Sequence, residues 1–247
     1  MKGIALLAQE YGFRVIEDAS HAIGAEYMSR RVGSCQFSDI CIFSFHPVKV
    51  VTSAEGGMAV TNERSLALKM SVLRSHGITN DPKQMSKPKA GPWSYEQLDF
   101  GFNYRQTDLQ AALGSSQLSR ISDIVARRNQ IAQNYDFLLQ DLPIVLPAQH
   151  PESKSSWHLY IIRLGLAEID NTHRKIFEHM RNSGIGVALH YIPIHTQPYF
   201  AQLGFLPEQY PNAMQHYSEA ITLPLFPTLA TDDQQFVVST LKDALAF

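Results

Sequence analysis

The stretch Asp39 to Phe45, DICIFSF, is almost continuously apolar and is followed at once by Pro47. A run this short, bounded by a turn residue, reads as a strand buried on both faces, and strands of that kind belong to sheets with helices packed on either side. Proline cannot donate to a β-ladder, so the strand must end and the chain must turn. Lys49 follows within that turn; Glu55-Gly56-Gly57 then gives a flexible corner before a second strand, Gly57 to Thr61. Lysine is almost never fully buried without a partner, so Lys49 taken alone reads as a solvated turn residue. A chemical role for it requires partners elsewhere in the chain.

The neighbouring segments extend the same architecture. Residues 3 to 11 have helical composition and stop at Gly12, a C-terminal cap; Phe13 to Ile16 follow as a short buried strand that opens into the loop carrying Asp18. With the helix Glu63 to Arg74, this alternation predicts an α/β sheet, in which ligands sit beyond the carboxyl ends of the strands. A second region begins near residue 115. Thr107 to Leu139 is one long helix-compatible run, interrupted only by Gly114 and serines, and Pro143 and Pro147 mark its boundary. A compact α+β lobe is expected beyond it. It comprises a strand in WHLYIIRL, a helix from Asn171 or Thr172 to Gly184 with Ile176, Phe177 and Met180 on one face, and a strand in GVALHYIP. A final helix opens on the capping-box pattern Thr231-Asp232-Asp233-Gln234 and carries Phe236, Val237, Leu241 and Leu245 as its apolar stripe.

Bulk properties exclude several classes. With 247 residues, 45% hydrophobic, the chain can bury a substantial core. A net charge of −2 without long basic runs argues against nucleic acid as a partner. The two cysteines, Cys35 and Cys41, read as thiols of a reducing cytosol, and no CxxC pattern marks a metal site. His190 and His195 lie five apart without a carboxylate at ligand spacing, which disfavours zinc. The apolar run Ile4 to Ala8 is too short for a signal peptide or a membrane span, so a cytoplasmic protein is expected.

Asp18, in VIEDASHA, stands just past a strand, where a carboxylate can hold a cationic partner such as a protonated pyridine nitrogen. His21 lies three residues on, and Ser44 and His46 flank the strand end before Lys49. An amine, a carboxylate, a histidine and a hydroxyl at adjacent strand ends are what a pyridoxal phosphate site needs: a lysine for the aldehyde and an acid to keep the ring nitrogen protonated.

The segments VIEDASHAIGAEY, FSFHPVKVVTSAEGGMAVTN, LRSHGI, GFNYRQTDLQAALGSSQL, WHLYIIRL and HYIPIHTQPYF together resemble the successive motifs of the DegT/DnrJ/EryC1/StrS sugar aminotransferases. FHPVK, AEGG and LRSHGITND are most similar to the branch that aminates a UDP-linked sugar on the way to pseudaminic acid. The resemblance implies the aspartate-aminotransferase-like fold (PLP fold type I). Residues 1–115 would be the C-terminal part of the large cofactor-binding domain, with a mixed sheet, and residues 116–247 the interdomain helix and small α+β domain. It implies Lys49 as the cofactor lysine, Asp18 as the ring-nitrogen partner, His21 beside the phenolic oxygen and Ser44 on the phosphate. Asn103 in GFNYR would reach the phosphate in the other subunit of a homodimer with shared active sites. His190, Tyr191 and His195 would contact the sugar, and L-glutamate would donate the amine. The family pattern also has a long segment before VIEDA, including a phosphate-cradling helix start. Met1 is therefore expected to be internal to a longer protein, and the chain alone to expose an apolar strand edge and a helix-bare sheet face, hold cofactor weakly and be inactive. A non-catalytic remnant and a related dehydratase are the alternatives; the dehydratase branch has histidine in place of the lysine, and Lys49 argues against it.

Overall fold

The structure is a computed structural model that describes residues 1–246. It divides into two compact units, residues 1–122 and 123–246. The first contains α1 (Lys2–Tyr11), β1 (Ile16–Asp18), the ribbon of β2 (Glu26–Tyr27) and β3 (Arg30–Arg31), β4 (Ile40–Ser44), β5 (Gly57–Val60), α2 (Arg64–Arg74), the paired β6 (Ile78–Thr79) and β7 (Glu96–Gln97), and α3 (Asp108–Leu118). α4 (Ile121–Leu139) runs on into the second, which holds β8 (Ile144–Val145), β9 (Ser153–Lys154), β10 (Tyr160–Leu164), α5 (His173–Asn182), α6 (Pro198–Ala201), α7 (Pro211–Glu219), β11 (Ala220–Leu223) and α8 (Thr231–Leu245).

Local chemistry sets several of these ends. Gly12 takes a left-handed φ of 72° and returns its N–H to Ala8 O, which stops α1 where a side chain at that φ would be strained. Thr172 caps α5 by accepting the Lys175 N–H, and Thr107 and Gln110 form a reciprocal capping box at α3. In the sheet of the first unit, β1 runs parallel to β4, with Asp18 opposite Ile42, and β4 runs antiparallel to β5, with Ser44 opposite Gly57. The sheet is therefore mixed, and Asp18 and Ser44 leave it at the same edge.

Several expectations need correction. The first strand is not Phe13 to Ile16 but Ile16–Asp18, because Asp39 takes the Val15 N–H with its carboxylate before the ladder begins. Nor is β4 buried on both faces. Cys41 and Phe43 are covered while Ile42 is 39% exposed, and on β1 Ile16 is 62% exposed, so only one face of this sheet is packed. Ile4, Leu7 and Tyr11 of α1 are likewise exposed at helical spacing. The run from Thr107 to Leu139 is two helices, broken at Ser119-Arg120, where the Ser119 hydroxyl turns back to Ser116 O. GVALHYIP forms no strand beyond one bridge, Ala188 to Thr222, and Pro193 lacks the N–H to extend it. At α8 the cap is Ala230 rather than Thr231. Gln234 cannot reach back to complete a capping box because its amide is buried against Ile131 O, and Phe236 faces outward.

The two units bury different cores. In the first, Val15, Ala19, Ile23, Cys41, Phe43, Phe45, Val50 and Val51 are buried. In the second, the antiparallel sheet β11-β10-β8 packs with α4, α5 and α8 around Tyr135, Tyr160, Ile162, Ile176, Met180, Ile221 and Leu241. Arg128 of α4 is buried there and donates to the Trp157 and Leu225 carbonyls. Burial lowers its guanidinium to about 10. Both cysteines are free thiols; Cys41 is buried, and desolvation first, then Glu17, raises it to about 12. Among the described residues no helix is long and apolar enough to cross a membrane, and no group of three or more His, Cys, Asp or Glu could hold a metal.

Candidate active site

The Ala19 N–H donates to Ile42 O at 2.8 Å, so the β1–β4 pairing continues one residue past Asp18 and fixes its backbone. The carboxylate itself is exposed at the strand end. Ser20 donates to Asp18 Oδ1 twice, from its hydroxyl at 2.5 Å and its backbone N–H at 3.0 Å. These bonds favour the ionised form, the hydroxyl most and the N–H next; nearby His21 and Lys49 act in the same direction, and Asp18 is held below the usual carboxylate value. Ser20 was not singled out from sequence. Its signal is a hydroxyl residue two positions after an aspartate, the spacing of a local side-chain turn.

Lys49 is half-buried in the loop that follows β4. Its N–H donates to His46 O at 3.0 Å, and the next two residues, Val50 and Val51, are buried and anchor the loop in the core. Ser44 is half-buried at the end of β4, with its hydroxyl accepting the His46 N–H at 3.4 Å. Asp18, His21 and Lys49 thus converge at one sheet edge, where Ser44 also stands. Asn103 is exposed on a segment bridged to Ser75 after α2. His190, Tyr191 and His195 belong to the second unit. There His190 Nδ1 meets Thr222 Oγ1 at 2.7 Å, Tyr191 is 60% exposed, and the His195 ring lies 4.5 Å from that of Tyr210 with its Nε2 buried and unbonded.

An exposed carboxylate kept ionised beside a primary amine, both anchored by backbone bonds at a sheet edge, can pair with a protonated ring nitrogen while the amine reaches an aldehyde on the same ring. The donor set fits pyridoxal phosphate.

Comparison with known proteins identifies the family and its cofactor. The profile of the DegT/DnrJ/EryC1/StrS aminotransferase family matches residues 1–242. The spore coat polysaccharide biosynthesis protein SpsC of Bacillus subtilis is 35% identical over 246 residues, covering 98% of this chain and 62% of SpsC. Among solved structures, Helicobacter pylori PseC, an aminotransferase of pseudaminic acid biosynthesis, superposes with a TM-score of 0.86 at 31% identity, over 99% of this chain and 62% of PseC. Spr1654 of Streptococcus pneumoniae in its pyridoxal phosphate form gives a TM-score of 0.83 at 27% identity, over 96% of this chain and 59% of that one. The chain therefore spans under two thirds of the length of these relatives, and it has their mixed-sheet α/β fold, PLP fold type I. It belongs to the DegT/DnrJ/EryC1/StrS family of pyridoxal phosphate-dependent sugar aminotransferases.

Proposed function

We propose that this chain carries the lysine and carboxylate side of an aminotransferase site that moves an amino group from an amino acid, L-glutamate, to the C4 keto group of a UDP-linked 4-keto-6-deoxy sugar. The observation that carries the reading is the convergence of Lys49 and the Ser20-clamped Asp18 at adjacent parallel strand ends. The likeness to PseC supports the choice of sugar.

Bound pyridoxal phosphate supplies an electron sink for the charge left when the amino acid's Cα loses its proton. Asp18 keeps the ring nitrogen protonated, and Ser20 keeps Asp18 ionised and aimed. The Lys49 amine would take the Cα proton of the amino donor; its loop is anchored by Val50 and Val51, so the amine starts from a fixed root. Ser44 offers a hydroxyl to the phosphate and His21 a ring nitrogen to the phenolic oxygen. Asn103 reaches the phosphate of a second subunit in a homodimer. His190, Tyr191 and His195 present hydrogen-bonding groups to the sugar. Residues 1–115 then serve as part of the cofactor domain and residues 116–247 as the interdomain helix and small domain of a cytoplasmic enzyme.

The test is a two-stage assay. A chain completed at its N-terminus is loaded with pyridoxal phosphate and mixed with L-glutamate, and release of 2-oxoglutarate is followed; a UDP-4-keto-6-deoxy sugar is then added and the amino sugar sought by mass spectrometry. Both products are expected. Release of 2-oxoglutarate without any amino sugar overturns the choice of acceptor.

A further inference from the structure

We propose that Gln106 is a positioning residue for Lys49: its carboxamide latches the lysine loop to the segment that carries Asn103. The inference rests on the reading of Lys49 as the cofactor lysine.

Residues 46–56 leave β4 and return into β5 through a narrow neck. The Phe45 N–H donates to Gly56 O at 2.9 Å, the Ser53 N–H to Phe45 O at 3.0 Å, and the Thr52 hydroxyl to the same carbonyl at 3.2 Å. Ser53 is fully buried, and its hydroxyl donates to Glu55 O at 2.9 Å, leaving its oxygen as an acceptor. Gln106 Nε2 fills that role at 2.5 Å and also faces Glu55 O at 3.4 Å. Two acceptors face one side-chain atom, so the chemistry itself orients the carboxamide: only its nitrogen has two protons to give. The approach is tight. A Cβ at Gly56, where φ is +151°, would stand 2.6 Å from both Gln106 Nε2 and Ser53 Oγ, and one at Gly114 of α3 would meet Ser53 Cβ at 3.3 Å.

The other end of the latch is equally fixed. Phe102 and Tyr104 donate their N–H groups to Leu73 O and Arg74 O at 2.7 and 2.9 Å, and Thr107 starts α3 with its capping box. Gln106 lies between these anchors, three residues after Asn103. The latch therefore makes the amine's loop and the Asn103 segment one piece, so that Lys49 Nζ is presented from a root that cannot drift relative to it. Fixing a reacting group's root is how a residue without substrate contact raises reactivity.

The test compares the chain with Gln106→Glu, which sets an acceptor against two acceptors, Gln106→Leu, and Ser53→Ala, which removes the partner and leaves Gln106 in place. Amide hydrogen exchange is measured without cofactor. At Phe45 and Ser53 it is expected to accelerate about tenfold or more in all three variants, while amides of β10 and α8 keep their rates. Separately, in variants of the chain completed at its N-terminus, borohydride trapping of pyridoxal phosphate on Lys49 is expected to slow and its pH profile to move. Unchanged exchange at Phe45 and Ser53 overturns the latch, as does uniform acceleration across the chain, which is the mark of a merely structural role. Altered exchange with unaltered trapping overturns the positioning role. Trapping of the unmodified chain on a lysine other than Lys49 overturns the reading of Lys49 and the positioning role with it, whereas the exchange results judge the latch independently.

Discussion

Asp18→Asn isolates the charge from the geometry. Asparagine keeps an Oδ1 acceptor, so both Ser20 donors stay satisfied at 2.5 and 3.0 Å and the strand end keeps its shape. What disappears is the negative charge that, on the proposed reading, faces the ring nitrogen. A charge pair at hydrogen-bonding separation of about 3 Å is worth about 5 kcal/mol at an effective dielectric of about 20, and about 1.4 kcal/mol in bulk water. The carboxylate is exposed in this chain, so a value between these limits, about 3 kcal/mol, is the reasonable one, and it corresponds to roughly a hundredfold in rate. The assay is a single-turnover measurement of 2-oxoglutarate release from L-glutamate by cofactor-loaded protein completed at its N-terminus, with cofactor affinity measured in parallel. Affinity is expected to fall far less than the rate, because Lys49 still holds the cofactor. A rate within threefold of the unmodified chain would refute the assignment of Asp18 to the ring nitrogen.

Two further predictions concern stability. Bringing Arg128 from its ordinary 12.5 to about 10 reflects a burial cost of about 3 kcal/mol, offset by its bonds to Trp157 O and Leu225 O. Arg128→Ala leaves both carbonyls unmet and a void, and should cost about 3 kcal/mol in urea unfolding, while Arg128→Met, which fills the space without a buried charge, should cost about half as much; unchanged stability in Arg128→Ala would remove the tie. Asp39 is held below its ordinary value by the Val15 N–H first and then by Arg14. Its contribution is therefore complete above the ordinary carboxylate value and is lost as pH falls through the lower folded value. Asp39→Asn should flatten the acid limb of the thermal-stability curve, and an identical limb would show that the Asp39 bonds contribute nothing.

Much of the site's placement is legible in the chain because it follows from local rules. Pro47 ends β4 and puts Lys49 just beyond it, Asp18 closes β1, and Gly12 and Thr172 set helix ends through backbone conformation and capping. Burial is harder to read. Ile16 and Ile42 look like residues of a strand covered on both sides, yet composition does not say what packs on each face, and here one face is open. The break at Ser119 depends on a hydroxyl competing for Ser116 O, which a helical periodicity passes over, and the buried amide of Gln234 defeats a capping pattern that its spacing satisfies. Gln106 and Ser53 lie fifty-three positions apart and meet only in the folded chain. Nothing near either residue marks the pair.

The most direct measurement is covalent. The chain, completed at its N-terminus, is incubated with pyridoxal phosphate, reduced with borohydride, digested and mapped by mass spectrometry. The pyridoxyl mass is expected on the peptide containing Lys49 and to vanish in Lys49→Ala. Its appearance on another lysine, or its persistence in Lys49→Ala, would contradict the assignment on which the site rests.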